Sequence, residues 1–180
     1  MRYIGLFFKT LLRLLLKPLS FVPAIIMMYA IFTFSSQEGA DSATLSRKVS
    51  IEIIRVADTV FDKGWDETTI MAKAEEYHYY VRKIAHFTEY FLLAVTVAFP
   101  LYVYGMRGIW LVIFAGAFCI GFACLDEYHQ SFVAGRTPGK KDVIIDSCGV
   151  ILGIYVTRFF SFIGRKTVFA PLAKKPKKRR

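Results

Sequence analysis

Residues 124–149 read CLDEYHQSFVAGRTPGKKDVIIDSCG and place Asp126, Glu127, His129, Arg136, Asp142 and Asp146 between two long apolar runs, 109–125 and 143–163. Burying an unpaired charge is costly, so such a stretch belongs at the polar end of a helical hairpin, where its charges meet partners, water or a ligand. Two more apolar runs, 19–34 and 84–104, lie upstream. Each of the four approaches or reaches the roughly 20 residues that a helix needs to cross a hydrocarbon core of about 30 Å. Of the 180 residues 55% are hydrophobic and 16% aromatic, with a mean hydropathy of +0.42, high for a soluble domain. The pattern predicts an all-α, polytopic membrane protein. Its four-transmembrane-helix bundle occupies 18–163, with spans at about 19–35, 84–104, 109–125 and 143–163 and an outer loop at 36–83.

Orientation follows from charge. Residues 1–17, 105–108 and 158–180 together hold 14 basic residues and no acid, whereas the other segments hold 10 basic residues and all 14 acids. Lys and Arg collect in cytoplasmic loops, so both termini and the turn with Arg107 are expected inside and the charged 126–142 loop outside. Lys9, Arg13 and Lys17 recur every four residues in an apolar context, which predicts an N-terminal interfacial helix over 1–17. No small-x-small cleavage site follows the first apolar run, which is therefore expected to stay as an anchor. The basic tail at 164–180, ending KKPKKRR, reads as a segment held near anionic lipid headgroups rather than a nucleic-acid signal, and no nucleic-acid partner is expected. Cys119, Cys124 and Cys148 have no metal-binding spacing and are expected to be small buried apolar residues.

The outer loop is patterned as well. Leu45, Val49, Ile53, Val56, Ala57, Val60 and Phe61 recur at helical spacing opposite Arg47, Lys48, Glu52, Arg55 and Asp58, which predicts an amphipathic helix on the outer surface, ended near Gly64. The DETT run at 66–69 then starts a helix that carries Ile70, Ala74, Tyr77, Val81 and Ile84 on one face and continues into the second span.

All four spans bring polar groups to one membrane depth. Ser35, Ser36 and Gln37 end the first; Arg82, Lys83, His86, Glu89 and Tyr90 lie at the outer end of the second. At 100° per residue Arg82, His86 and Glu89 share a stripe. Asp126, Glu127, His129 and Gln130 close the third span, and Asp142 and Asp146 open the fourth, one turn apart. Gly149 and Gly153 continue the face of Asp142 and Asp146 and should let that face approach another helix closely. Ionisable residues in spans mark a functional site by default.

Three readings of this cluster stand side by side. It is a structural interhelical clasp, in which Arg82 or Arg136 neutralises Glu89, Asp126 or Asp146. It is a divalent-metal site built from His86, Glu89, Asp126, Glu127, His129, Asp142 and Asp146, although no HExxH-like spacing is present. Or it is a cleft for an anionic guest, with Arg136 as bidentate partner and His86 or His129 as general acid or base beside a carboxylate. Ser35 and Ser36 are better placed as caps or hydrogen-bonding glue than as nucleophiles.

The motifs FSSQ at 34–37, KIAHFTEYFLL at 83–93 and DEYHQSFVAGRTPGKKDVIIDSCG at 126–149 resemble the VanZ-like family, over roughly residues 33–155. Ala134 stands where a proline is often found. The resemblance implies a small bacterial plasma-membrane protein, in some members linked to reduced teicoplanin susceptibility, and assigns no reaction. It carries over onto Ser36, His86, Glu89, Tyr90, Asp126, Glu127, His129, Gln130, Arg136, Asp142, Asp146 and Gly149.

Together these observations predict an outer-leaflet polar cleft that binds or processes an anionic lipid-linked or cell-envelope molecule, contributing to teicoplanin resistance. His86, Glu89, Asp126, Glu127, His129 and Asp146 are the candidates for chemistry. Ser36, Arg82, Tyr90, Gln130, Arg136 and Asp142 are the candidates for ligand binding. Expected partners are membrane lipids and a lipid-linked cell-wall precursor or glycopeptide. The alternative is a non-catalytic binding or modulating protein.

Overall fold

The computed structural model describes residues 18–166; the expected interfacial helix at 1–17 and the basic tail past Lys166 lie outside the described residues. Five helices follow one another without a strand among the described residues: α1 (Val22–Ser35), α2 (Gly39–Phe61), α3 (Glu67–Val103), α4 (Gly108–Gln130) and α5 (Lys140–Lys166). Three of them, α3, α4 and α5 up to Ile163, are long and apolar enough to cross a membrane. The first expected span is represented by the apolar α1, whose 14 residues extend only about 21 Å. The fold is that of a multi-pass helical membrane protein.

Local chemistry sets the helix ends. Asp66 caps α3, its carboxylate accepting from the Thr69 amide at 3.2 Å and satisfying one of the donors that a helix start leaves open. The α3–α4 turn closes through Gly105 and Gly108, both at positive φ (101° and 63°), which costs glycine little.

Close approach of α5 to α3 organises the core. A Cβ on Gly149 would collide with the Phe87 carbonyl oxygen, and one on Gly153 would stand 2.5 Å from the Phe91 carbonyl oxygen. Bare glycine faces let the two backbones meet. Around this contact Tyr90, Leu93 and Ala94 of α3, Leu111, Ala115, Cys119 and Ala123 of α4, Val150 and Ile154 of α5 and Ile31 of α1 form one buried cluster. Small residues at four-residue spacing on α4 bring it against the pair. Cys124 and Cys148, expected to be buried, are exposed, and only Cys119 sits in the core. The physical reason is helical phase: Cys124 follows the inward Ala123 and Cys148 precedes the inward Gly149, so each thiol turns outward.

The 37 residues of α3 extend about 55 Å, well beyond a hydrocarbon core of about 30 Å. Its N-terminal half leaves the bundle and forms an antiparallel hairpin with α2, laced by Arg47 to Glu75 and Arg55 to Glu67. The helical periodicity of the outer loop is correct. The face of α2 packed on α3 is nevertheless the one carrying Gly39, Ser46 and Ser50, opposite Ile70 and Ala74. Leu45, Val49, Ile53, Val56 and Val60 turn outward, 43–68% exposed. Small residues win the interface because they permit closer helix packing than the branched side chains do. On α3 the predicted face splits for the same reason, with Ile70 and Ala74 buried and Tyr77 and Ile84 exposed.

Replacing Gly149 by Val should prise α5 from α3. We expect destabilisation of about 1–3 kcal/mol, the usual cost of overpacking, seen as a lower thermal midpoint of the purified protein in detergent. Gly121→Ala, with no atom near the added methyl, should leave that midpoint unchanged or raise it.

Candidate functional site

The polar residues converge at one end of the bundle, where α1 and α4 finish and α5 starts. The connection between α4 and α5 is tied down by backbone groups. The Gly39 amide donates to the Ala134 carbonyl at 2.9 Å, and a Cβ on Gly39 would strike the Gly135 carbonyl oxygen. The Gly139 amide donates to Glu127 at 2.5 Å. Arg136 then reaches back to the end of α1, its Nε donating to the Gln37 carbonyl at 3.0 Å and an Nη to the Phe34 carbonyl at 2.8 Å. A cation suits this position, since carbonyls at a helix C-terminus lack intrahelical donors and carry the negative end of the dipole.

Part of the cluster is internally satisfied. Ser35, 1% exposed, donates to an Asp126 carboxylate oxygen at 2.8 Å, and the Gln130 amide donates to the Ser35 hydroxyl at 3.0 Å and to the same Asp126 oxygen at 3.1 Å. The triangle joins α1 to α4. Lys83 forms an ion pair with Asp142, joining α3 to α5. The Ser36 hydroxyl donates to the Phe32 carbonyl at 2.7 Å and lies 3.2 Å from His129 Nε2, while the His129 ring stacks on Phe32 at 4.7 Å.

The other part is open. Arg82, His86 and Glu89 on α3 and Arg136 on the loop line a cavity of about 170 Å³, closed on one side by Ser42, Leu45, Ser46 and Val49 of α2. His86 Nδ1 stands 3.6 Å from Glu89, too long for a good hydrogen bond. The remaining Nη of Arg136 is buried without a partner, as are one oxygen of Asp146 and the Tyr90 hydroxyl. Tyr90 lies beside Asp126 without a hydrogen bond of ordinary geometry. Burial, and next to it the charge of Arg82, hold the Arg136 guanidinium below its usual pKa. Buried polar groups without partners are uncommon, and the open side of Arg136 marks where this cavity needs a guest or water.

The structure brings the expected residues into one region and separates their tasks. Arg82, His86, Glu89 and Arg136 share the cavity, as their stripe on α3 implies. Asp126 and Gln130 belong to the Ser35 triangle, Asp142 belongs to Lys83, and Glu127 holds the Gly139 amide. The expected neutralisation of a carboxylate by Arg82 or Arg136 is not what forms. Arg136 spends its donors on carbonyls of α1, and Arg82 makes no ion pair among the described residues. Two contributors were not among the expected site residues. Ser35 takes the hydrogen-bonding role expected of a helix-end serine, and Lys83, expected as part of a basic surround, is turned from the cavity toward α5 by its place one residue after Arg82. Among the described residues no three His, Cys, Asp and Glu side chains are grouped to hold a metal ion, so geometry lends the divalent-metal alternative no support.

A family model described as VanZ/LLP1 matches residues 20–161, most of the chain. No curated protein and no solved structure matches.

The Lys83 and Asp142 pair offers a direct test of the closed part. Lys83→Met or Asp142→Asn alone should each lower the thermal midpoint, because each strands a part-buried charge. The double variant should recover part of the loss, with a coupling of about 0.5–3 kcal/mol in a double-mutant cycle. Strictly additive losses would remove this pair from the clasp.

Proposed function

The chain belongs to the VanZ/LLP1 family, and we propose that it is a plasma-membrane protein of a bacterium whose outward-facing cavity recognises the anionic headgroup of a lipid-linked cell-envelope molecule. One observation carries the proposal: Arg82 and Arg136 line the same cavity, and among the described residues neither forms an ion pair with a carboxylate. A phosphate or carboxylate guest would offset both charges, and guanidinium forks match either anion in geometry. The cavity, about 170 Å³, suits a phosphate with a few attached atoms. Phe34, Leu45 and Val49 at its edge offer apolar surface to the first part of a lipid chain.

Headgroup binding is common to a purely modulating protein and to a hydrolase or transferase. For the latter, His86 and Glu89 are the acid–base side chains in the same cavity. The Ser35 triangle and the Lys83–Asp142 pair favour a structural role for the other half of the cluster, so the clasp and the cleft coexist. The resemblance to VanZ-like proteins extends the proposal to protection against teicoplanin, with the headgroup as the point of interference.

Arg82 separates a ligand site from a clasp. Arg82→Gln removes a charge that forms no ion pair among the described residues and relieves repulsion with Arg136. We expect an unchanged or higher thermal midpoint, together with a loss of about tenfold or more in affinity for a polyprenyl phosphate in nanodiscs, the order expected for a charged hydrogen bond of about 1.5–3 kcal/mol. Cells carrying the variant should lose protection against teicoplanin. A lower midpoint with undiminished polyprenyl phosphate binding would leave only the clasp.

Orientation is checked separately. Thr137, exposed on the α4–α5 connection, replaced by cysteine in a cysteine-free background, should react with a membrane-impermeant maleimide in intact cells. Reaction only after lysis would put the cavity in the cytoplasm.

A further inference from the structure

At the opposite end of the bundle a second cavity, about 390 Å³, lies between the end of α3, the α3–α4 turn and the last turns of α5. Its lining includes Arg107, Arg158, Tyr102, Tyr155, Phe159 and Gly108. The Arg107 guanidinium stands 5.3 Å from the Tyr102 ring centre, and that of Arg158 stands 5.4 Å from the Tyr155 ring centre. Stacking of this kind holds a guanidinium in place while leaving its N–H edge free for a planar or tetrahedral anion.

Among the described residues no carboxylate pairs with either of these two cations. The acidic residues of the three spanning helices are Glu67, Glu75, Glu76, Glu89, Asp126, Glu127, Asp142 and Asp146, all toward the other end. The nearest in sequence to Arg158 is Asp146 on the same helix, 12 residues and about 18 Å away. Residues 1–17 and 158–180 contain no Asp or Glu either. Among the described residues neither arginine makes an ion pair or a hydrogen bond with a side chain. Gly108, the first residue of α4, lines the cavity too, and the positive end of that helix reinforces the pair.

Depth decides between possible anions. The cavity sits at the ends of spanning helices, and the exposed Trp110, Tyr104 and Tyr155 lie near that level. Trp and Tyr side chains there mark the boundary between hydrocarbon and headgroups. We propose that Arg107 and Arg158 form a binding site for the net-negative phosphodiester headgroup of an anionic phospholipid in the adjoining leaflet. The phosphate sits between the two guanidiniums, the acyl chains run along the Phe159 side of α5, and the turn between α3 and α4 is held to the end of α5 by the lipid. This site is separate from the cavity of Arg82 and Arg136 and stands whether or not that cavity binds a headgroup.

The test uses the full chain in nanodiscs of mixed phosphatidylglycerol and phosphatidylcholine, released into native mass spectrometry to identify retained lipids. Wild-type protein should retain phosphatidylglycerol selectively. Each of Arg107→Gln and Arg158→Gln should lower the selectivity about fivefold, and the double variant about 25-fold, as follows from about 1 kcal/mol per basic residue near a charged surface. Arg158→Lys, which keeps the charge, should retain most of the selectivity and guards against a folding artefact. Lys48→Gln with Lys63→Gln, the same loss of charge on the α2 side, should change nothing. Equal retention by wild type and the Arg107→Gln/Arg158→Gln double variant would overturn the assignment. So would displacement of the lipid by millimolar inorganic phosphate or glycerol 3-phosphate, since the anion would then be a soluble one.

Discussion

Backbone contact between α5 and α3 at Gly149 and Gly153 is the constraint on which the rest of the structure depends. In a bilayer there is little hydrophobic force between helices, because lipid tails are as apolar as leucine side chains, so close packing has to hold them together. With glycine against the Phe87 and Phe91 carbonyls, α5 comes near enough to α3 for Asp142 to meet Lys83 one turn and more above the contact. The same approach buries Asp146 at 3% exposure beside Tyr90, which is fully enclosed. The polar end of the bundle is therefore a product of how tightly its apolar part packs.

A buried charge is tolerated where each lone pair or proton has somewhere to go. Most of the cluster obeys: the Ser35, Asp126 and Gln130 triangle, the Glu127 contact with the Gly139 amide, and Arg136 on the carbonyls of α1. These contacts join α1, α4 and the α4–α5 connection at one level and fix the loop that carries Arg136, while the Lys83–Asp142 pair ties α3 to α5. The exceptions are Tyr90, Asp146 and one side of Arg136. A rigid, satisfied frame around a small unsatisfied centre is the arrangement that pre-organises a site for a polar guest.

The α2–α3 hairpin gives that centre a wall. Its ion pairs, Arg47 with Glu75 and Arg55 with Glu67, are exposed and contribute little to stability individually. The hairpin is held instead by the fit of Ser46 and Ser50 against Ile70 and Ala74. That fit brings Ser42, Leu45 and Val49 over Arg82 and His86, so an element outside the three long apolar helices shapes the cavity.

The sequence by itself determined the fold class, the positions of the long apolar helices, the continuation of the DETT helix into a span and the stripe of Arg82, His86 and Glu89. Each of these depends on local periodicity, on net hydrophobicity or on a capping residue, all of which act over a few turns of one helix. The segregation of acids to one end of the bundle and of acid-free basic segments to the other was also legible, since membrane depth follows from counting along a span. Only the tertiary structure decided which charge meets which. Arg136 could have reached a carboxylate or a carbonyl, Lys83 could have stayed in solvent, and Ser35 could have capped its own helix. The outcome turned on backbone contacts at Gly39 with Gly135 and at Gly149 with Phe87, which bring together residues far apart in the chain. It also decided which face of α2 is covered, because in packing one helix on another the size of the contacting side chains outweighs their hydrophobicity.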